Sequence, residues 1–138
     1  MWIVYAALAA LFSALVAILS KLGLAGINSH FATAIRTTGV MVITWLFVWG
    51  MDVKNEQLHV TRNQLFYLLL SAIATGGAWL CYNRALQEGP TTKVASIDKL
   101  SIVCIALLSW WIFGENLSTL GMVSIGLITS GTILLVFA

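Results

Sequence analysis

The sequence predicts an all-α membrane protein with five transmembrane helices, and three observations predict it. The 138 residues are 60% hydrophobic and only 9% charged, with a mean hydropathy of +0.97. A soluble domain runs near about 25% charged and less than half apolar, so a water-soluble fold of this composition would lack the charge to cover its surface. Five apolar stretches follow one another, and a helix needs about 20 apolar residues, at about 1.5 Å of rise each, to cross a hydrocarbon core of about 30 Å. The connections are too short for a soluble domain, so consecutive helices are antiparallel neighbours in one bundle. The whole chain, 1–138, reads as a single transmembrane domain.

The first helix covers about 2–22. Residues 1–20 carry no charge, and Lys21 and Gly23 supply a basic, glycine-terminated end. No basic residue precedes the apolar core, which is longer than a secretory h-region, so this segment is expected to stay as the first span. A connection over 24–30, with Gly26 and Asn28-Ser29, leads to a second helix at about 31–50. Trp45 and Trp49 fit an interfacial aromatic belt there. The longest polar stretch, 52–63, holds Asp52, Lys54, Glu56, His59 and Arg62, whose fixed charges cancel, and reads as a solvated loop.

The third helix covers about 64–87. Gly89-Pro90-Thr91-Thr92 then punctuates the chain, because proline suits a first turn and the threonines are placed to cap it. The fourth helix covers about 92–113. Gly114-Glu115-Asn116-Leu117-Ser118 is a tight turn with Ser118 as N-cap, and the fifth helix covers about 118–138.

Polar residues inside spans mark inward faces, since surface facing lipid is apolar. Thr33, Arg36, Thr37 and Thr44 share a face of the second helix, interrupted by Val40. Thr75, Trp79, Tyr82 and Asn83 recur at helical spacing on the third. Ala6, Ala10, Ser13, Ala17 and Ser20 on the first helix form a small-residue stripe. With Gly76-Gly77 and the Gly126/Ser130 pair, it predicts close helix packing. Arg36 lies about 7–8 Å inside its helix, and a charge at mid-bilayer costs about 2.5–3.5 kcal/mol even on the insertion scale. Asp98 and Lys99 lie between one and two turns into theirs. As neighbours they point about 100° apart and are not expected to neutralise each other, which leaves Asp98 as the counter-charge for Arg36 if the two helices face.

Two readings fit these charges. Arg36 and Lys99 snorkel to the interface while Asp98 caps or pairs, or the three groups line a polar cavity on a substrate path. On the second reading Arg36, Asp98 and Lys99 set the cavity's charge, and Trp79, Tyr82 and Asn83 shape a site for an organic solute. Cys81 and Cys104 have no metal or disulfide spacing and read as small buried side chains. A net charge of +2 is too small to suggest nucleic acid. No nucleophile–base pair, phosphate-binding glycine loop or metal-spaced cluster is present, so neither an enzyme nor a cofactor is expected.

The third-to-fifth helix block carries a family resemblance. Ala85-Leu86, Gly89-Pro90, Lys93-Val94-Ala95, Leu100 and Phe113-Gly114-Glu115-Asn116-Leu117-Ser118, then Gly121, Gly126 and Gly131, resemble the end of an EamA domain. That domain belongs to the drug/metabolite transporter superfamily. Lys21, Ala34-Ile35-Arg36 and Ile97-Asp98-Lys99 extend the likeness along the chain. Most members join two such five-helix domains in inverted orientation, so this chain resembles the single-domain branch, one half of that inverted repeat. The resemblance implies a carrier of small organic metabolites or drugs, often an exporter, in the plasma membrane of a bacterium or archaeon. Two copies, one inverted, would rebuild the two-domain carrier and work by alternating access. The alternative it leaves open is a lipid-linked sugar flippase, or one subunit of one. The related small multidrug-resistance carriers have a membrane glutamate on the first helix, where this chain has no acid.

Basic residues bear on orientation. Lys21, Arg84 and Lys93, with Arg36 and Lys99 nearby, lie on one side, and Lys54 and Arg62 on the other, which predicts the C-terminus inside. With Arg36 and Lys99 buried the bias falls to one residue, slight enough for both orientations and an antiparallel homodimer. Ionised groups facing a shared watery chamber between two copies are the expectation that links fold to function.

Overall fold

The computed structural model describes residues 1–50 and 60–138. Among these, all regular structure is helical: α1 (Trp2–Gly23), α2 (Ser29–Gly50), α3 (Arg62–Glu88), α4 (Thr91–Asp98), α5 (Ser101–Phe113) and α6 (Thr119–Phe137). With α4 and α5 taken together, five segments are long and apolar enough to cross a membrane. The expected loop residues Asp52, Lys54, Glu56 and His59 lie outside the described residues.

Side chains cap some of the helix ends and glycine turns close others. After α1 the chain turns through Gly26, whose φ of 78° is a left-handed value that glycine adopts without a Cβ clash. Asn28 Oδ1 then accepts the His30 N–H at 2.9 Å, which starts α2 at Ser29, earlier than the apolar pattern implied. Thr61-x-x-Gln64 makes half of a capping box, the Thr61 N–H donating to Gln64 Oε1 at 2.9 Å. Gly114 closes α5 at φ 65°, and Ser118 Oγ accepts the Gly121 N–H at 3.1 Å, the cap expected for the last helix. Pro90 itself occupies the N-cap of α4 and no side chain caps that end, so the adjacent threonines do not act as expected.

The expected fourth helix is broken. Between α4 and α5 the Lys99 and Leu100 N–H groups donate to Ser96 and Ile97 carbonyls at 3.0 and 2.9 Å. Ile102 and Val103 likewise bond three residues back, at 3.1 and 3.0 Å. Such bonds tighten the α-helix to a 3₁₀ turn, which is stable only in short pieces and ends the regular helix on each side. The break carries Asp98 and Lys99.

The chain divides into two compact units: Leu19–Gln87, and Met1–Ile18 with Glu88–Ala138. In the second of these, α4 and α5 both pack on α6. Lys93 Nζ donates to the Val136 carbonyl in the last turn of α6 at 3.0 Å, satisfying an acceptor that the helix cannot. Among the described residues, the buried apolar side chains are Ala17, Leu24 and Leu86, and most large apolar residues are exposed. Such exposure suits a helix set solvated by lipid, where no hydrophobic force drives helices together.

Three packing expectations change. Cys81 and Cys104 are exposed on their helices and not buried. A Cβ added at Gly76, Gly77 or Gly126 would meet no atom within 4 Å among the described residues, so close approach at these glycines is not observed. On α1, Ala17 is buried, but Ala6, Ala10 and Ser13 are exposed.

Candidate functional site

Within the unit Leu19–Gln87, one face of α3 meets the turn that joins α1 to α2. Asn83, Leu86 and Gln87 share that face at spacings of three and four. Lys21 Nζ donates to the Leu86 carbonyl, and Gln87 Nε2 donates to the Ile27 and Leu24 carbonyls at 2.7 and 3.3 Å. These bonds hold the α1–α2 turn against the end of α3. Lys21, expected to finish its own helix, serves the end of another.

Asn83 Nδ2 donates to Thr33 Oγ1 at 2.7 Å, and Thr33 Oγ1 donates to the Ser29 carbonyl, also at 2.7 Å. The hydroxyl has one hydrogen, already used on Ser29, so it can only accept from Asn83. That fixes which way the amide points and leaves Asn83 Oδ1 buried without a partner, as is Ser29 Oγ. Asn83 is 2% exposed and Ser29 1%. A buried polar atom left unpaired costs about 1–3 kcal/mol.

Farther along α2, Arg36 Nη1 donates to Ser20 Oγ at 3.1 Å, and the guanidinium carbon lies 4.7 Å from the centre of the Trp79 ring. That is within the range of a cation–π contact. Because α2 starts at Ser29, Arg36 lies about 10 Å along its axis, deeper than the sequence implied. No carboxylate pairs with Arg36 among the described residues. The threonines of its stripe bond their own helix instead: Thr37 to the Thr33 carbonyl at 2.8 Å, Thr44 to those of Val40 and Met41 at 3.0 and 2.9 Å. Tyr82, half-buried, follows Trp79 by three residues on α3.

In the other unit Lys99 Nζ lies 3.7 Å from Asp98 Oδ2, with the two side chains 57% and 52% exposed. The expectation that these neighbours would not neutralise each other is therefore wrong. The long, flexible lysine stem swings back across the angle between successive side chains. Asp98 finds its cation on the next residue, while Arg36 is held by Ser20 and Trp79.

The structure thus joins Arg36 to Ser20 and Trp79, separately joins Asn83 to Thr33 and Ser29, and sets Asp98 with Lys99 at the helix break. Sequence reasoning missed Ser29 and Gln87, which read as loop and helix end, and took Ser20 for packing. Two clefts lie elsewhere. One of about 270 Å³ is lined by Ile102, Ile105, Ala106, Ser109, Glu115, Asn116, Leu117 and Ile125. The other, about 430 Å³, is lined by Ile43, Leu46, Phe47 and Gly50. Neither includes any of the six candidate residues. Among the described residues, no cluster of His, Cys, Asp and Glu could hold a metal.

The model of the EamA-like transporter family matches residues 1–137. A Sinorhizobium protein described as an uncharacterized transporter in the cobO 3' region is 37% identical over 134 residues, covering 97% of this chain and 95% of its own. No solved structure matches significantly. Apolar segments enough for five crossings, charged groups held inside them, and a family match over nearly every residue have one conclusion: this chain is a multi-pass membrane protein and belongs to the EamA-like transporter family.

Proposed function

We propose that the protein carries small organic metabolites or drugs out of the cell, by alternating access, as an antiparallel homodimer in the plasma membrane of a bacterium or archaeon. One observation carries this reading: a guanidinium held inside a spanning helix over an aromatic ring, without a carboxylate partner among the described residues. A charge kept there at such cost marks a solute path more often than a packing device. Arg36, Trp79 and Tyr82 form the binding surface, the buried Asn83 ties α3 to α2 through Thr33, and Asp98 with Lys99 places charge at a helix break in the other unit. Interrupted helices with polar groups at the interruption are where inverted-repeat carriers bind their cargo. The second copy contributes the wall that a single chain lacks, and the uncontacted glycines of α3 and α6 suit close approach by another helix.

Reconstitution tests this. Vesicles containing the full chain, loaded with a small-molecule extract of the source cells, should release a subset of solutes faster than protein-free vesicles. Arg36→Ala and Asp98→Ala should abolish that release while inserting normally. Variants that release solutes at the wild-type rate would remove both residues from the mechanism. Translocation of a lipid-linked sugar without solute release would replace the carrier with a flippase. Reporters at the C-terminus and within 52–63 should be found on both sides of the membrane, and a single fixed side would exclude the antiparallel arrangement.

A further inference from the structure

Resting on the carrier reading, we propose that the cargo is an organic anion, whose carboxylate or phosphate serves as the counter-charge of Arg36. The charged residues described in the unit Leu19–Gln87 are Lys21, Arg36, Arg62 and Arg84, all basic. Among the described residues no carboxylate pairs with Arg36, so it is held in place without being neutralised. The Ser20 hydroxyl takes one of its five N–H donors and the guanidinium carbon lies over the Trp79 ring. Both contacts orient the group, and neither supplies the opposite charge that a cation in low dielectric most favours.

A planar guanidinium with N–H donors left over is matched by the two oxygens of a carboxylate or phosphate, which it grips through parallel bonds. The alternative cargo, an organic cation, would enter a site whose fixed charge repels it. The aromatic ring that would otherwise attract a cation already faces Arg36. Trp79 then has a second use: its cation–π contact holds the guanidinium in place when no cargo is present. The contact is weaker than an ion pair, so it yields when an anion arrives.

Three probes with a common ring and different charge test the inference: benzoate, phenyl phosphate and phenyltrimethylammonium. Purified full-length protein in detergent is unfolded thermally with each. Benzoate or phenyl phosphate at about ten times its binding midpoint should raise the unfolding temperature by about 3–6 °C, while phenyltrimethylammonium does not. The larger of the two anion shifts identifies the acid group preferred. Arg36→Gln should lose the shift, and Arg36→Lys, which keeps the charge but not the fork, should retain part of it. The Lys variant keeps the experiment decisive if the Gln variant does not fold.

Stabilisation by the ammonium probe alone, by none of the three, or by the anions equally in wild type and Arg36→Gln would each overturn the inference. Vesicle release separates this from the carrier reading. Release of amines in preference to acids removes the anion and leaves the carrier. Anion-dependent stabilisation without release of any solute removes the carrier and leaves the anion site.

Discussion

Thr33 and Asn83 should respond unequally to removal of their hydrogen bond. Thr33→Val keeps the shape of the side chain and deletes the hydroxyl, so Asn83 Nδ2 loses its 2.7 Å acceptor while Oδ1 remains unpaired. An amide 2% exposed then has neither end satisfied. A stranded buried donor costs about 1–3 kcal/mol in soluble proteins, and membrane hydrogen bonds average about 0.6 with a maximum near 1.7, so about 1–2 kcal/mol is expected. Asn83→Leu loses the same bond but also removes the orphaned oxygen, and the two effects oppose. Its cost should be below about 1 kcal/mol. The double variant should match Asn83→Leu, because the Thr33 hydroxyl then serves only the Ser29 carbonyl. Reversible unfolding in bicelles by added dodecyl sulfate measures all three. If Asn83→Leu proves the more damaging by over about 1 kcal/mol, the amide assignment is wrong and Oδ1 has a partner.

Other substitutions probe the rest of the fold. Lys93→Met leaves the Val136 carbonyl without its 3.0 Å donor and removes a cation from the end of α6. It should cost about 1–2 kcal/mol and speed hydrogen exchange over the last turn, with Lys93→Arg restoring most of it. Unchanged exchange there would show the bond contributes nothing. Ser118→Ala deletes the cap on the Gly121 N–H and should cost about 1 kcal/mol by the same unfolding measurement. A cost near zero would mean that water replaces the cap in full.

Hydropathy made the spans legible, because length and apolarity alone decide them. The cap at Ser118 was legible too, being written in adjacent residues. Local signals at Asn28 and Thr61-x-x-Gln64 were also present and explain why α2 and α3 start earlier than apolar periodicity implies. The break at Asp98–Lys99 carried no such mark. Gly89 and Pro90 are the nearest upstream punctuation, and the one available hint was an acid beside a base in an apolar run. At the site, Arg36 and Trp79 each stood out, but their meeting depends on how α2 and α3 pack. The roles of Lys21 and Gln87 were hidden for the same reason. A basic or amide residue at a helix end looks solvated until a second helix supplies the carbonyl. Burial of Asn83 and Ser29 likewise follows from tertiary contact and not from their neighbours in sequence.

Water reach to the Arg36 stripe separates a solute path from a lipid-facing stripe. Thr37 is exposed on α2 and follows Arg36, while Cys104 is exposed on α5. Thr37→Cys in a Cys81→Ser background leaves Arg36, Ser20 and Trp79 untouched. In native membranes a water-soluble thiol reagent should modify Cys at 37 several times faster than Cys104, because a thiol reacts as its thiolate and needs water to form one. Equal, slow modification of both would mean that the stripe faces lipid and that Arg36 lines no aqueous path.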